Sequence, residues 1–376
     1  MYDFIIVGGG ISGLRVGIEL LKKRMTCCIL EKYEIGGRVT TFKKFIPGFG
    51  VAQWENGAGR ISTSHKKVLQ LLKQYGLTFV PHSSDSQYFS GTMTENHFND
   101  LIRVYIEPLK QLDPMILATH TLKELFDTLG VPSSFYIQFP YFSEIHVLRA
   151  DLALHAFQNE MGFGMFGSCK EGLSALIHAM YNEFISLGGE VITGMEVFRI
   201  HKHTVFSKRV FHAKRIVLAV DSNALHSIRG IHAPVLKYLA MKPLLRIYAV
   251  FKNPVVIPRI VTDSPIRYII PITPHIIMIS YTDGDDTQFW KKKGQKEVMM
   301  ELRNIIDVPD PIFFKMHFWR NGCTYWLPGR YNVEQESAKS LQISENVFVC
   351  GESFAVHQCW MESALDQADA LLSRCI

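Results

Sequence analysis

The chain has 376 residues, of which 47% are hydrophobic and 20% are charged, a composition that excludes a disordered or fibrous protein. Its formal net charge of +5 is small and its basic residues are scattered, so we expect no nucleic-acid partner. Seven cysteines without a C-x-x-C pair indicate reduced thiols and predict neither disulfides nor a metal site.

The expected location is the cytoplasm. The first predicted strand begins next to Met1, so we expect no signal or transit peptide. No apolar run approaches the ~18–20 residues that cross a bilayer. We therefore expect a soluble protein without a membrane anchor, and the sequence leaves homo-oligomerisation open.

The first 31 residues combine a buried strand, a glycine-rich turn, a helix and a second strand. Tyr2–Val7 is the first strand, residues 8–13 form a G-x-G-x-x-G turn, residues 14–24 have a helical pattern, and Cys27–Leu30 is the second strand, which ends at Glu31. This order of elements is typical of a dinucleotide-binding βαβ unit.

Each residue type in this unit has a physical role. Gly8 allows the tight turn, Gly10 lets the backbone approach a pyrophosphate, and Gly13 lets helix and strand pack closely. Phosphates would lie at the helix N-terminus, where free N–H groups favour negative charge. The Glu31 carboxylate suits both hydroxyls of an adenosine ribose, which argues against NADP because its 2′-phosphate would meet a negative charge.

The remaining elements suggest a second domain interleaved with the first. No internal repeat or low-complexity linker separates them. In chain order we predict a helix from 62–64 to 77, mostly helix over 100–180 with a start at Thr121 and breaks at 130–132 and Pro140, strands at 191–192, 197–200, 204–206, 210–211 and 216–220, an antiparallel sheet over 244–282, a helix over 294–306, a strand at 347–350 and a closing helix over 360–374.

Four motifs in order resemble the flavin-containing amine oxidases, the family of monoamine oxidases, polyamine oxidases and lysine-specific histone demethylases. The resemblance begins at residues 30–41, which contain the turn Gly36-Gly37-Arg38. It continues through an acid-x-Gly-Ala segment at 54–58, a Gly-x-x-x-Leu helix and strand at 167–176 and 191–200, and a closing motif formed by Gly351-Glu352 and 360–364.

The resemblance implies an α/β fold in which a Rossmann-like FAD-binding domain, a doubly wound parallel sheet, is interleaved with an α+β substrate domain that carries an antiparallel sheet. The FAD-binding domain is predicted at 1–62, 155–225 and 316–376, and the substrate domain at 63–154 and 226–315.

By this resemblance FAD is the cofactor, and its ligands are spread along the chain. The backbone of Val197 would contact the adenine, Glu352 after Gly351 the ribityl chain, and the helix N-terminus at Met361 the flavin pyrimidine. The residues expected to hold the ADP half are Gly8, Gly10, Gly13, Glu31, Gly37 and Arg38.

The implied reaction is hydride transfer from a C–H bond beside an amine to flavin N5, with O2 as acceptor and an imine and hydrogen peroxide as products. Trp360 stands where the family has a cage tyrosine, and Tyr325 or Trp326 would form the opposite wall. The family lysine near N5 is absent from residues 221–228, where His226 is the nearest basic candidate.

In some relatives a cysteine before an aromatic-Pro-Gly stretch carries flavin covalently, and Cys323 precedes a similar stretch here. The gap from Cys323 to Gly329 is two residues shorter than theirs, so we expect non-covalent FAD. Two alternatives stay open: a desaturase or porphyrinogen-oxidase-like enzyme, favoured by the absent lysine, and a non-catalytic protein that keeps flavin as a structural core.

Overall fold

The computed structural model describes residues 1–82, 86–89, 102–131, 142–159 and 165–375. The α-helices are α1 Ile11–Lys22, α2 Lys66–Gln74, α3 Pro114–Thr119, α4 Leu122–Thr128, α5 Phe142–His146, α6 Ala150–Asn159, α7 Leu173–Ser186, α8 Ser222–Ser227, α9 Thr287–Trp290, α10 Gln295–Arg303, α11 Val333–Ser340 and α12 Met361–Cys375. The strands are β1 Tyr2–Val7, β2 Cys27–Leu30, β3 Thr41–Ile46, β4 Gly50–Glu55, β5 Ile61–Ser62, β6 Phe79–Pro81, β7 Ser86–Phe89, β8 Phe166–Cys169, β9 Glu190–Ile192, β10 Arg199–His201, β11 Thr204–Phe206, β12 Val210–Leu218, β13 Leu239–Val250, β14 Arg259–Thr262, β15 Tyr268–Thr273, β16 Ile276–Asp283, β17 Phe313–Trp326, β18 Gln342–Ser344 and β19 Val347–Val349.

A parallel sheet occupies the centre of the first half of the fold, with strand order β19-β12-β1-β2-β9. Its strands are buried runs because both faces are covered. Phe4 and Ile6 point to a core formed with α1, α7 and α12, whereas Ile5 and Val7 point to the core on the other face. The antiparallel strands β10, β11 and β18 extend the sheet at its edges.

A second, six-stranded sheet has the order β17-β13-β16-β15-β14-β7 and is antiparallel except for the β14–β7 pair. Helix α10 packs on one face through Val298 and Leu302, against Ile247 and Ile279. The β3–β4 hairpin covers the other face, where Trp54 stacks on Tyr248 with ring centroids 4.8 Å apart.

Strand β17 links the two halves. It pairs with β13 along its length, and its last residues reach the core beneath the parallel sheet, where Trp326 is fully buried. The predicted fold class is therefore confirmed: a Rossmann-like parallel sheet combined with a second, largely antiparallel sheet.

The predicted domain boundaries stay a prediction. Residues 154, 225 and 315, at which three predicted segments end, lie inside α6, α8 and β17.

Several predicted elements differ in detail from those observed. The helix predicted from 62–64 is shorter, because Ser62 belongs to β5 and α2 begins after His65. Strands predicted at 210–211 and 216–220 are one strand, β12. Strand β17 was not predicted, and the predicted break at Pro140 lies outside the described residues. Thr121 caps α4 in a capping box with Glu124, as its position suggested.

Candidate functional site

A cavity of about 650 Å³ lies between the two sheets and is lined by residues of both. At one end it begins at the β1–α1 turn, and it continues past the carboxyl ends of β2 and β12 to the N-terminus of α12. The carboxyl edge of a parallel sheet is where such folds bind ligands.

The β1–α1 turn lines this cavity with glycine residues, whose backbone is not covered by side chains. Gly8 has φ of +107°, and a Cβ there would lie 2.4 Å from the Ala219 carbonyl oxygen. Gly10 is the N-cap of α1, and a Cβ there would meet only the Gly36 carbonyl oxygen at 3.9 Å, so it would project into the cavity. No side chain caps α1, which leaves its first N–H groups available for an anion.

Gly13 has a different role from its neighbours. It does not line the cavity, and a Cβ there would lie 2.0 Å from the Gly8 carbonyl oxygen. It therefore allows helix α1 to approach strand β1, which is the packing role that the motif predicts.

The Glu31 carboxylate is fixed at the end of β2. Its Oε2 accepts the Gly9 N–H at 2.7 Å and its Oε1 accepts the Tyr33 N–H at 2.8 Å. Glu31 is buried, yet it lines the cavity together with Val197. Two N–H groups use only part of the hydrogen-bond accepting capacity of the carboxylate, so lone pairs remain for the hydroxyls of a ligand.

Arg38 and Glu352 form an ion pair across the cavity wall. Nη2 of Arg38 lies 2.7 Å from Oε2 of Glu352, and its Nη1 donates to the Gly322 carbonyl at 2.9 Å. Burial opposes the charged guanidinium, but the carboxylates of Glu352 and Asp221 raise the pKa of Arg38 above its usual range. The cation is therefore permanent.

Glu352 also shapes the segment that leads to α12. Its Oε1 accepts the Cys359 N–H at 2.8 Å, and Cys359 has a left-handed backbone with φ of +73°. The turn places Trp360 and Met361 in the cavity wall. At its start α12 is tied to α2, because Glu362 accepts the N–H groups of Lys67 and Val68, each at 2.9 Å.

Trp360 and Tyr325 both line this end of the cavity. The Trp360 ring packs edge-on against His65, with centroids 4.8 Å apart, and burial together with Arg60 lowers the pKa of His65 to about 4, so the histidine is neutral. Tyr325 is 3% exposed, and burial raises its pKa well above the usual range. Trp326 lies outside the lining, since it is fully buried and donates to the Ala355 carbonyl at 2.8 Å.

His226 is not brought to the cavity. It lies on the exposed side of the short helix α8 and does not line the cavity. Among the described residues of the lining, the one lysine is Lys32, which follows Glu31 and pairs with Glu196 at 2.7 Å.

Sequence reasoning missed a buried arginine in the opposite wall. Arg246 of β13 is 8% exposed and lines the cavity with Tyr281 of β16. A lone arginine inside the apolar run 244–251 was the available signal. Over the ranges that the structure describes, no cluster of three or more His, Cys, Asp or Glu side chains could hold a metal, and no helix is both long and apolar enough to cross a membrane.

The residues present fit FAD. Glycine backbone at Gly8, Gly10 and Gly37, an uncapped helix N-terminus and the Arg38 cation suit a pyrophosphate. Glu31 suits a ribose. A Cβ at Gly351 would have its nearest neighbour at 3.8 Å, so there is room for a ligand beside the turn that follows β19. The cavity volume lies within the range of cofactor sites.

Comparisons with known proteins agree with this geometry. The family described as flavin containing amine oxidoreductase matches residues 120–370, and the NAD(P)-binding Rossmann-like domain matches residues 6–75. A search of curated proteins found no match.

Solved structures of putrescine oxidase are similar in fold. A double mutant redesigned in its cofactor binding has a TM-score of 0.79, a related single mutant 0.78 and the wild-type enzyme bound to putrescine 0.77, each at 16% identity. Each match covers 99% of this chain. It covers 99% of the chain of each mutant and 97% of the wild-type chain.

Proposed function

The chain belongs to the family of flavin-containing amine oxidoreductases, and we propose that it is an FAD-dependent amine oxidase acting on the C–H bond beside an amine nitrogen. Bound FAD would supply the hydride acceptor, N5, and pass the electrons to O2, so that the products are an imine and hydrogen peroxide. The enzyme's own residues bind, orient and shield the reactants.

One observation carries the proposal. A single cavity joins the glycine turn after β1 to the aromatic end formed by Trp360 and Tyr325. The motifs in which these residues stand lie more than 300 residues apart in sequence, and an FAD-sized ligand is the group that would need all of them.

At the nucleotide end, we propose that Gly8, Gly10 and Gly37 admit the pyrophosphate, with Arg38 as its cation and Glu31 as the ribose ligand. Gly13 supports the site by packing rather than by contact. Because Arg38 is already held by Glu352, it needs no rearrangement to meet a phosphate.

Along the rest of the cofactor, we propose that the Val197 backbone meets the adenine, Gly351 and Glu352 the ribityl chain, and Met361 at the start of α12 the pyrimidine. The helix dipole of α12 favours negative charge at that position.

At the substrate end, we propose that Trp360 and Tyr325 orient the amine between aromatic surfaces. The Tyr325 hydroxyl stays protonated at neutral pH because burial raises its pKa, so it serves as a wall and donor and not as a base. Hydride transfer from a neutral amine requires no protein base, and the aromatic surfaces keep the site dry. His226 has no part in this proposal, because it lies outside the cavity.

We propose that FAD is held without a covalent bond. Cys323 lines the cavity, but strand pairing with Lys242 fixes its backbone, and Gly329 follows too soon to match relatives that attach flavin.

The test is peroxide release by the yellow, FAD-loaded protein with a panel of monoamines, polyamines and amino acids. We expect peroxide from at least one class of amine, together with bleaching of the flavin band when oxygen is removed. If the flavin-loaded protein gives neither signal with any amine, yet its flavin bleaches with a porphyrinogen or polyene, the amine oxidase proposal is wrong and the desaturase alternative is favoured. Protein that cannot bind FAD would overturn both.

A further inference from the structure

Arg246 is a buried cation that makes no ion pair among the described residues, although it lies close enough to the Glu55 carboxyl to lower the pKa of that group. It is 8% exposed. Its Nε has no hydrogen-bond partner, and its Nη1 reaches the Glu55 carbonyl only at 3.4 Å, a long and weak contact. The neutral Tyr248 hydroxyl also interacts with the guanidinium but supplies no negative charge. Such a charge is costly to bury unless something pairs with it.

The surroundings of Arg246 are built to hold it in place. Arg246 and Tyr281 are direct cross-strand partners on β13 and β16, and the guanidinium carbon lies 5.2 Å from the centre of the Tyr281 ring. On the other side a Cβ at Gly59 would lie 2.8 Å from Nη1, so the glycine leaves the space that the guanidinium fills. The side chain is therefore confined at the wall of the cavity.

Several other charges of the cavity already have partners in the protein. Glu31 accepts two backbone N–H groups, Arg38 pairs with Glu352, and Lys32 pairs with Glu196. Arg246 also differs in its position in the fold, because it belongs to the second sheet, whereas these groups belong to the predicted FAD-binding segments. The missing anion is thus to be sought in the substrate.

We propose that Arg246 binds a carboxylate of the substrate, so that the enzyme acts on amines that also carry a carboxylate, such as amino acids. This inference rests on the proposed function. A guanidinium matches a carboxylate with two parallel N–H donors, and pairing would replace the hydration that burial removed. A diamine would instead bring a second positive charge towards Arg246, which repulsion disfavours.

The first test measures binding without turnover. FAD-loaded protein is titrated with benzoate and with its neutral isostere benzamide, and binding is followed by the change in flavin absorbance. We expect saturable binding of benzoate and little response to benzamide. Arg246→Met should weaken benzoate roughly 10- to 100-fold, the factor expected for a charge-assisted hydrogen-bonded pair.

Two further variants keep the test decisive. Arg303→Met removes an exposed arginine of α10 that lies outside the cavity lining and should leave benzoate affinity unchanged. Arg246→Lys keeps the charge but loses the planar pair of donors, so it should bind benzoate with intermediate affinity. It also reports on the site if the methionine variant fails to fold, which thermal unfolding would reveal.

A second readout compares each amino acid with its decarboxylated amine, for example phenylalanine with phenethylamine. We expect the amino acid to bleach the flavin at lower concentration, and Arg246→Met to remove that preference. The proposal would be overturned if wild type and Arg246→Met bound benzoate with the same affinity. It would also be overturned if Arg246→Met changed only the loading and colour of the flavin, since the arginine would then serve the cofactor. Benzoate binding through Arg246 in a protein that oxidises no amine would keep Arg246 as a carboxylate site but would overturn both the proposed function and the amine substrate.

Discussion

The two walls of the cavity differ in how their charges are satisfied. In the wall beside the parallel sheet, which we call the cofactor wall, Glu31, Arg38 and Glu352 are held by hydrogen bonds and by each other. In the wall formed by β13 and β16, which we call the substrate wall, Arg246 has no ionic partner among the described residues.

Under the proposed function, this difference separates a cofactor site from a substrate site. Fixed partners hold the cofactor wall in one geometry before any ligand binds, so binding requires little reorganisation. The substrate wall keeps an unpaired charge that a ligand of opposite charge would satisfy, and a buried unpaired charge gives specificity at the expense of stability. The following predictions test each half of this comparison.

The largest effect should follow loss of the fixed ion pair in the cofactor wall. Arg38→Met leaves the carboxylate of Glu352, which is 8% exposed at its side chain, without its cation. We expect the free energy of unfolding of the FAD-free protein to fall by about 3 kcal/mol, because a buried charge has lost its partner. Denaturant unfolding measures this, and FAD binding should weaken in parallel.

Arg15→Met is the matched control for Arg38→Met. The Arg15 side chain is 28% exposed, close to the 30% of Arg38, and it pairs with Asp369 at 2.9 Å outside the cavity. Its partner is itself 30% exposed, so water can replace the arginine and the expected cost is below about 1 kcal/mol. If the two variants lost the same free energy of unfolding, the ion pair of the cofactor wall would contribute no more to stability than one on the surface.

The next effect separates folding from cofactor binding. A Cβ at Gly10 meets no atom closer than 3.9 Å, so Gly10→Ala should fold normally while its methyl group occupies the path of the pyrophosphate. We expect FAD affinity to fall about 10- to 100-fold with little change in the stability of the FAD-free protein. Flavin fluorescence titration and thermal unfolding together measure both quantities.

Gly294→Ala is the control for Gly10→Ala, because both glycines are N-cap residues with extended backbones and no side-chain cap. A Cβ at Gly294 would be 3.5 Å from Oε2 of Glu297, an ordinary contact. FAD affinity should be unchanged in this variant. If Gly10→Ala bound FAD as well as the control did, the pyrophosphate could not lie at this turn.

The two walls also differ in how far the sequence could predict them. The βαβ unit is local: β1 and β2 are short buried runs, and the turn between β1 and α1 contains glycines whose spacing has a known cause. The Arg246–Tyr281 pair depends instead on the register between β13 and β16, which lie far apart in sequence. No local pattern encodes that register.

Strand β17 was missed for a related reason. Its 14 residues include charged, aromatic and small side chains without clean alternation, because one end is half exposed and the other enters the core beneath the parallel sheet. Pro271 illustrates the same limit: proline is typical of edge strands and turns, yet Pro271 lies inside β15, at an irregularity in its pairing with β16.

A pH-dependent effect concerns Glu55, which lies behind the substrate wall. Burial raises the pKa of Glu55 to about 7, although hydrogen bonds from Leu173 and Thr41 and the positive charge of Arg246 oppose the rise. The folded protein therefore holds this proton to higher pH than the unfolded chain, so its stabilising contribution is full below the unfolded pKa and is lost as pH rises towards 7. Relative to Glu55→Gln, wild type should lose about 3 kcal/mol across that window, because each pH unit between the unfolded and folded pKa is worth about 1.4 kcal/mol.

Denaturant unfolding at a series of pH values measures this difference, and Glu34→Gln, which changes an exposed carboxylate, should follow the wild-type profile. A wild-type profile parallel to that of Glu55→Gln would mean that Glu55 is ionised in the folded protein. Its charge would then stand close to Arg246 and weaken the case for a substrate carboxylate.

The smallest expected effect is no change at all, at the junction of the two walls. Cys323 lines the cavity at the end of β17 and is the thiol from which covalent attachment would be expected in this segment. If its strand pairing with Lys242 keeps the sulfur from bonding to flavin, Cys323→Ala should bind FAD as wild type does, and acid precipitation should release all flavin from both proteins. Yellow colour that stays with the precipitated wild type but not with the variant would show that Cys323 bonds to the cofactor, and the cofactor wall would then extend onto β17.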